Sequence, residues 1–328
     1  MSKFGRDIIV IGTSAGGLEA LDSLIAQLPS NFCASIFIVQ HMAPQNTGEA
    51  LLHKLSKHEA FECQLARNGD HFKPATIYIA PPDQHLLLKR TRMLVTKGAR
   101  ENRYRPGVDP LFRSAAVAYG PSVIGVILTG MLDDGTAGLS AIKKCGGVTV
   151  VQDPKDAVYP EMPQSALTNV KIDYCVPLRE MGKLLEGLSR GPRGQTKSIP
   201  KGVRTEALIA ERVLSDVAQV NNLGEQVPYN CPNCGGVLWE IDDGKKRNRY
   251  RCHTGHSFTA TTLLTSQSEK VEETLWTALR MFEERKNLLN NMAKTETRRN
   301  GKNSYAVRAN ETQVHIERIR RMLQAEST

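Results

Sequence analysis

The stretch "DIIVIGTSAGGLEAL" (Asp7–Leu21) indicates the fold class of this chain. It opens with an apolar, β-branched run, which is typical of a strand that is buried on both faces of a parallel sheet. A glycine-rich turn follows, and leucines then recur at the spacing of an amphipathic helix. A strand, a tight turn and a helix in this order favour an α/β fold.

Residues 7–188 repeat this alternation of strands and helices. The further runs predicted as strands are "CASIFIVQ", "ATIYIAP", "SVIGVILTG", "GVTVVQD" and "KIDYCVP". Helices are predicted for Gly16–Leu28, Gly48–Lys57, "VDPLFRSAAVAYG" (in which Asp109 can cap the first turn) and "TAGLSAIKKCGG". The stretch "HLLLKRTRMLVTK" is predicted to be an antiparallel hairpin. Residues 1–188 are therefore expected to form a doubly wound, mainly parallel sheet in a Rossmann-like three-layer α/β fold.

The rest of the chain is predicted to contain four segments. Residues 189–203 are rich in glycine, proline and basic residues and have no apolar period, so they are expected to be a linker. A helix is expected at 204–224, a small zinc-ribbon-like module at 225–262 and a helical hairpin at 263–328. The apolar stripes of the last two helices are explained by mutual packing, or alternatively by a partner-binding surface.

The ends and the cysteines of the chain bear on its compartment. The amino terminus "MSKFGR" is too short and polar for a signal peptide, and no run approaches the ~18 apolar residues of a membrane span. Seven cysteines, an odd number that is largely scattered, argue against a disulfide framework. These observations predict a cytoplasmic protein without membrane insertion.

The chain is basic, with a formal net charge of +9, and most of this charge lies after Arg190. A solvated basic surface on the carboxy-terminal helices is the simplest explanation. The stretch "KKRNRYR" (Lys245–Arg251) alternates cations with an aromatic residue, as nucleic-acid-binding segments do. One short strand is nevertheless a small footprint for a phosphate backbone, so a nucleic-acid partner is disfavoured.

The first loop, "IGTSAGG" (Ile11–Gly17), admits three kinds of site. A dinucleotide-binding turn would need a glycine where Ser14 stands, and a phosphate-binding P-loop would end in Lys-Ser/Thr where Leu18 and Glu19 stand. The third kind is a nucleophilic serine, because "GTSAG" satisfies G-x-S-x-G, in which small residues let the hydroxyl project above the sheet. This pattern alone is weak, because α/β-hydrolases place several strands before such a serine.

The positions of the partner residues favour the nucleophile. A catalytic serine needs a base to take its proton and an acid to orient that base. His41 directly follows the strand "IFIVQ", and Asp133 and Asp134 follow "VILTGML". The carboxyl ends of parallel strands face one crevice, so Ser14, His41 and one of the aspartates are expected to meet there.

Other histidines are weaker candidates for the base. His85 opens the predicted hairpin near the same edge and is the only rival. His53 and His58 are expected in a helix and His71 in a loop, where histidines are generally structural or solvated.

Six ordered blocks of the sequence resemble the catalytic domain of the chemotaxis protein-glutamate methylesterases, the CheB family. They are "IVIGTSAGGLEAL", "IVQHMAP", "IYIAPPDQHLLL", "NRYRPGVDPLFRSAA", "GVILTGMLDDGTAGL" and "VVQDPKDAVYPEMPQSAL". The resemblance, which covers roughly residues 5–188, implies hydrolysis of glutamate methyl esters on the cytoplasmic helices of methyl-accepting chemoreceptors, through an acyl-enzyme and without a catalytic cofactor. The same acyl chemistry implies deamidation of glutamine.

The resemblance also implies roles for individual residues. Ser14 is the nucleophile, His41 the general base and Asp134 the residue that holds the histidine, whereas Asp133 occupies a variable place. The backbone amide of Met131 is implied to donate to the oxyanion.

Two departures from the family pattern stand out. The residue after the serine is usually threonine and is Ala15 here, which removes a hydroxyl near the triad. No receiver domain precedes the first strand, so we expect a stand-alone form that is not controlled by aspartyl phosphorylation within the same chain.

A second site is predicted in the carboxy-terminal region. Cys231 and Cys234 form one C-x-x-C knuckle, and Cys252 and His256 form a second pair beyond a predicted hairpin. This spacing predicts a tetrahedral Cys₃His site for a structural Zn²⁺, because four protein ligands leave no open position. His253 is the rival fourth ligand, and an unmetallated hairpin is the alternative.

The sequence thus predicts a protein-glutamate methylesterase that acts on a receptor or receptor-like substrate. The alternative is a non-catalytic chemosensory scaffold that binds a partner through its zinc-ribbon and helical tail. The intact serine, histidine and aspartate set argues against the scaffold, and Ala15 argues weakly for it.

Overall fold

The computed structural model of the chain describes residues 5–212, 217–241 and 248–325. The chain divides into two compact units, residues 1–262 and residues 263–328. Three cations of the stretch considered for nucleic acid, Lys245, Lys246 and Arg247, lie outside the described residues.

The first unit alternates strands and helices as far as Arg190. Its strands are β1 (Ile8–Thr13), β2 (Ser35–Gln40), β3 (Glu62–Leu65), β4 (Thr76–Ile79), β5 (His85–Lys89), β6 (Arg92–Thr96), β7 (Val123–Ile127), β8 (Val148–Gln152) and β9 (Tyr174–Val176). Its helices here are α1 (Gly17–Ile25), α2 (Glu49–Leu55), α3 (Val108–Tyr119), α4 (Thr136–Lys144), α5 (Glu161–Asn169) and α6 (Leu178–Arg190).

Seven of these strands form one sheet in the order β3-β4-β2-β1-β7-β8-β9. Every neighbouring pair is parallel, which confirms the predicted doubly wound α/β class. The chain winds outward from β1 on one side and from β7 on the other, so the strand order reverses between these two strands. In open α/β sheets the crevice beyond the carboxyl ends of such strands is the usual binding site.

The central strand β1 is apolar throughout because both faces of the sheet are covered. Ile8 and Val10 point into one hydrophobic cluster, Ile9 and Ile11 into the other, and all four side chains are fully buried. Alternation with polar residues is therefore absent from this strand, as expected for a parallel sheet between helices.

The structure adds elements that the sequence pattern does not reveal. Strand β3 lies at the edge of the sheet, and its residues are half-buried or exposed, so it lacks the apolar run of a central strand. Helices α5 and α6 were also not predicted. The hairpin of β5 and β6 was predicted correctly and pairs antiparallel outside the main sheet.

The first unit continues with α7 (Lys201–Arg212), α8 (Val217–Asn221) and four antiparallel strands, β10 (Gly224–Asn230), β11 (Val237–Ile241), β12 (Arg249–Cys252) and β13 (Ser257–Thr259). We call these four strands the C-terminal sheet. Helix α7 begins at Lys201, inside the predicted linker, and a small core joins it to the C-terminal sheet. This core contains Ile209, Val220, Leu223, Trp239 and Ile241.

The second unit consists of most of α9 (Ala260–Thr295), together with α10 (Arg299–Ala325). The two helices contact each other: the ring of Phe282 stacks on His315 at 5.3 Å, and Lys286 Nζ donates to Gln313 Oε1 at 2.6 Å. None of the described helices combines the length and apolar character that crossing a membrane requires.

Candidate active site

Ser14 lies at the carboxyl end of β1, in a tight turn that leads into α1. Its amide donates to Thr129 O at 3.1 Å, and its carbonyl accepts from Gly17 N at 3.0 Å. Gly16 has a φ of 74°, a left-handed conformation that glycine adopts without strain. The turn therefore places Ser14 at the carboxyl edge of the sheet, where it lines an open cleft together with His41.

The loop after β7 packs directly against this serine. A Cβ atom on Gly130 would overlap the sulfur of Met162 and lie 2.9 Å from Cβ of Ser14, so only glycine allows this approach. The next residue is Met131, whose side chain is 45% exposed. Its backbone N–H donates to no acceptor among the described residues.

His41 and Asp134 meet at the same edge of the sheet. His41 directly follows β2, and its Nε2 lies 2.8 Å from Oδ2 of Asp134, with both side chains almost fully buried. Because an ionised carboxylate only accepts hydrogen bonds, Nε2 carries the proton of a neutral ring. The other nitrogen, Nδ1, is buried and has no partner in the described structure, which leaves its lone pair available.

A set of donors fixes both carboxylate oxygens of Asp134. The amide of Val108, at the start of α3, donates to Oδ2 at 2.7 Å. Oδ1 accepts from Asn102 Nδ2 at 3.0 Å, from the amide of Gly135 at 2.9 Å and from the amide of Asp109 at 3.3 Å. The carboxylate is therefore held in one orientation towards the imidazole.

These contacts keep Asp134 ionised. Complete burial raises the pKa of Asp134, but the hydrogen bond and charge of His41, followed by the Val108 amide and Asn102, lower it further. The net pKa is below the usual value, so the carboxylate is negative where the histidine needs a counter-charge.

Tyr104 was not singled out from the sequence, yet it contacts both Ser14 and His41. Its ring stacks on the imidazole with the centroids 3.6 Å apart, and its hydroxyl lies beside the Ser14 side chain. Burial, followed by the charge of Asp134, raises the pKa of Tyr104, so the phenol keeps its proton. Ser14, His41 and Tyr104 line one open cleft of about 470 Å³.

A turn with unusual backbone angles holds Tyr104 in place. Glu101 and Tyr104 exchange backbone hydrogen bonds of 3.2 and 2.9 Å, while Asn102 and Arg103 between them have φ values of 48° and 78°. Left-handed residues other than glycine persist where surrounding contacts enforce them. Here Asn102 Nδ2 donates to both Asp134 Oδ1 at 3.0 Å and Asp109 Oδ2 at 2.9 Å.

Asp109 does not cap α3, contrary to the expectation from the sequence. The helix begins one residue earlier, after Gly107, and the Asp109 side chain instead accepts from Gly138 N at 2.6 Å and from Asn102. Burial and the neighbouring charge of Asp134 raise the pKa of Asp109 to about 6.

The rival base His85 is engaged elsewhere. Its Nε2 donates to Ala99 O at 2.9 Å, and its Nδ1 accepts from Gly107 N at 3.1 Å. The ring is buried, and burial lowers its pKa, so it is a neutral structural residue. His58 lies just after α2 and bonds Asp22 at 2.8 Å.

The four predicted metal ligands come together in the C-terminal sheet. The ligand atoms of Cys231, Cys234, Cys252 and His256 all lie within 4.8 Å of one another, and His253 is not part of this cluster. Two glycines in left-handed conformations, Gly235 and Gly255, close the two knuckles.

The spacing of these atoms fits a tetrahedral zinc ion. Zn–S bonds of about 2.3 Å and Zn–N bonds of about 2.0 Å imply S···S separations near ~3.8 Å and S···N separations near ~3.5 Å. Cys234 Sγ lies 3.7 Å from Cys252 Sγ, and Cys252 Sγ lies 3.5 Å from His256 Nδ1. The residues present therefore fit the metal.

Known proteins resemble residues of the first unit. A model of the CheB methylesterase family matches residues 9–185. A Leptospira interrogans protein with the provisional name protein-glutamate methylesterase/protein-glutamine glutaminase is 39% identical over 181 residues, which cover 54% of this chain and 92% of that protein. A Chromobacterium violaceum protein of the same name is 38% identical over 182 residues, but this chain covers only 51% of its length.

A solved structure shows the same relationship. The catalytic domain of the Thermotoga maritima CheB methylesterase superposes with a TM-score of 0.54 and 38% identity, covering 56% of this chain and 98% of that domain. These names match the enzyme predicted from the sequence, and the family model covers more than half of the residues. The chain therefore belongs to the CheB methylesterase family.

Proposed function

We propose that this chain is a serine hydrolase that removes methyl groups from glutamate methyl esters of a chemoreceptor or a receptor-like protein. The buried His41–Asp134 pair beside Ser14 is the observation that carries this proposal. A nucleophile, a base with an available lone pair and an oriented carboxylate form the machinery of acyl transfer.

The reaction starts when the Ser14 hydroxyl turns towards Nδ1 of His41. The oxygen attacks the ester carbonyl as its proton passes to Nδ1, and Asp134 stabilises the imidazolium that forms. The imidazolium then gives this proton to the departing methanol. Water attacks the resulting acyl-enzyme by the same route and releases the glutamate carboxylate.

The backbone supplies donors for the oxyanion. The Met131 N–H has no acceptor among the described residues, and the N–H of Ala15 stands directly after the nucleophile, where such donors are found in serine hydrolases. Losing one oxyanion donor typically costs ~10²–10³ in rate. The same donors would serve glutamine deamidation, in which ammonia takes the place of methanol.

The rim of the cleft supports a protein substrate that carries acidic residues. Arg100, Arg103 and Arg105 line the cleft around Ser14 and His41. Arg105 is ion-paired with Asp83 at 2.6 Å, and the remaining positive potential of this rim would attract a segment rich in glutamate, such as the methylated region of a receptor helix.

We also propose that Cys231, Cys234, Cys252 and His256 hold a structural Zn²⁺. Four protein ligands leave no position for a substrate, so this ion would stabilise the C-terminal sheet and take no part in the acyl chemistry.

The experiment measures methanol release from receptor labelled with tritiated methyl groups. Wild-type protein should release tritium, and Ser14→Ala should not. Asp133→Asn, next to the proposed triad aspartate, is the matched control and should keep its activity within about threefold. Undiminished release by Ser14→Ala would remove Ser14 from the mechanism.

A non-catalytic scaffold is the second candidate, because Nδ1 of His41 has no hydrogen-bond partner in the described structure, so Ser14 is not bonded to its proposed base. A fluorophosphonate, which modifies only activated serines, separates the two candidates. Labelling that Ser14→Ala abolishes supports the hydrolase, and absence of labelling supports the scaffold.

A further inference from the structure

We infer that the C-terminal sheet is a positioning element of the active site, in which Arg251 and Ser257 hold the segment 100–102 and thereby align Asn102 with Asp134. This inference rests on the proposed hydrolase function and adds a second part of the chain to it.

The backbone of the segment pairs with the C-terminal sheet. Asn102 N donates to Ser257 O at 2.8 Å, and Ser257 N donates to Arg100 O at 3.4 Å. Glu101 and Ser257 form a parallel bridge, and both residues are buried. Strand β13 therefore supports the segment from behind as a neighbouring strand would.

A buried ion pair adds a side-chain link. Arg251 in β12 is fully buried, and its Nη2 lies 3.0 Å from Oε2 of Glu101. The same guanidinium contacts Glu206 of α7 at 3.2 Å and donates to Gly255 O at 3.0 Å. From the other side, Arg113 of α3 contacts Glu101 at 2.5 Å. Glu101 is thus held between helix α3 on one side and the C-terminal sheet on the other.

A single residue, Asn102, connects Glu101 to the Asp134 carboxylate. Asn102 follows Glu101 directly and donates to Oδ1 of Asp134 at 3.0 Å, while Oδ2 of the same carboxylate contacts His41. A shift of the segment would remove the one side-chain donor among the four groups that fix this carboxylate, and would loosen its orientation towards the imidazole. Misplacements of about 1 Å in an active site can cost ~10² in rate.

The link also begins next to the proposed metal cluster. Arg251 precedes Cys252 and Ser257 follows His256, so the knuckle between these two ligands fixes both contacts. A well-ordered cluster would therefore also fix the position of the segment 100–102, which carries the Asn102 donor to Asp134.

The first test compares two buried arginines of one strand. Arg251→Gln removes the contact with Glu101, whereas Arg249→Gln removes an arginine that contacts Glu206 at 2.6 Å. Thermal denaturation first establishes the temperatures at which both variants are folded. Under those conditions, two quantities are measured: the rate of fluorophosphonate labelling at Ser14, and amide hydrogen exchange in peptides covering 98–106. We expect Arg251→Gln to slow labelling about tenfold or more and to speed exchange, and Arg249→Gln to change labelling by less than about threefold.

A double-mutant cycle tests whether Arg251 acts through Asn102. If it does, Arg251→Gln should slow labelling much less in an Asn102→Ala background than in wild type, because coupled residues are not additive. Equal labelling by both arginine variants, or unchanged exchange at 98–106 in Arg251→Gln, would overturn the inference.

Two further outcomes are distinguishable. If Arg251→Gln shows no cooperative unfolding transition, Glu101→Gln, which keeps the shape of the side chain, is measured with the same expectation. If wild-type protein is not labelled at all, the proposed hydrolase function fails, whereas labelling with identical rates in all variants overturns the positioning role alone.

Discussion

Nε2 of His41 lies 2.8 Å from Oδ2 of Asp134, and both side chains are almost fully buried. Because Asp134 fixes the proton on Nε2, the unpartnered Nδ1 of the same ring is the atom that can accept a proton from Ser14. Rotation of the Ser14 hydroxyl towards this nitrogen is the movement that the proposed mechanism requires.

Replacing the carboxylate should disable the base without changing its position. In Asp134→Asn the amide can donate to the imidazole and favour the wrong tautomer, so we expect the rate of Ser14 labelling to fall ~10³–10⁴-fold. Fluorophosphonate kinetics measure this rate, and circular dichroism checks the fold. A loss smaller than about tenfold would show that the pair is not needed for activation of the serine.

The hydroxyl and the ring of Tyr104 should have opposite effects on the rate of Ser14 labelling. Tyr104→Phe removes the hydroxyl that lies beside Ser14 and can hold the serine hydroxyl away from Nδ1, but it keeps the ring on His41. Labelling should therefore rise by about two- to tenfold, matching the ~0.5–1.5 kcal/mol of a typical hydrogen bond. Tyr104→Ala also removes the ring and should label more slowly than wild type. A fall in rate with Tyr104→Phe would instead give the hydroxyl a supporting part in the reaction.

Asp109 should make the stability of the protein depend on pH in a defined window. Its pKa in the folded state is raised to about 6 from 3.8, so the folded protein binds more protons than the unfolded chain between these values. The contribution of Asp109 to stability is therefore lost as pH rises from about 4 to 6.

Comparison with Asp109→Asn isolates this contribution. The free energy of unfolding of Asp109→Asn minus that of the wild type should increase by about 2–3 kcal/mol when the pH is raised from 4 to 7. Urea denaturation at the two pH values measures the difference. A difference that does not change with pH would place the titration elsewhere.

The proposed zinc site can be tested by removing one ligand. Protein purified without chelator should contain one zinc per chain, and Cys234→Ser should contain markedly less and unfold at a lower temperature. Cys33→Ser is the control, because Cys33 is an exposed free thiol outside the cluster. Elemental analysis that finds no zinc in the wild type would contradict the proposal.

Because Gly130 lies so close to Ser14, we expect that position 130 does not tolerate a larger side chain. Gly130→Ala places a methyl group against Met162 and 2.9 Å from Cβ of Ser14, so we expect a destabilisation of about 1–3 kcal/mol and a ~10²-fold slower labelling. Gly187→Ala in helix α6 is the control, because it has open space around it and should be neutral or stabilising by up to ~1 kcal/mol. Thermal denaturation and labelling of both variants test the comparison.

The meeting of Ser14, His41 and Asp134 could be predicted because each residue follows a predicted strand. Apolar runs mark the strands, and parallel strands bring their carboxyl ends to one edge, so chain position alone suggests proximity. The pairing of the four cluster residues follows likewise from the short spacing within each knuckle.

Asn102, Tyr104 and Arg251 could not be found in the same way. Asn102 and Tyr104 lie in a turn whose left-handed φ angles depend on contacts with residues far along the chain. No local sequence pattern predicts such a turn. Arg251 stands in the basic stretch that was considered for nucleic-acid binding, yet it is fully buried because carboxylates from two distant parts of the chain surround it. Long-range ion pairs of this kind leave no periodic signal in a sequence.

The pairing of Ser257 with Asn102 has a consequence for any attempt to shorten the protein. The region that aligns with the family ends near α6, but a chain cut there would expose Glu101 and Arg113 to water and strip Glu101 of one of its two cations. The region that aligns with the family and the compact unit that contains it therefore end at different residues, 185 and 262.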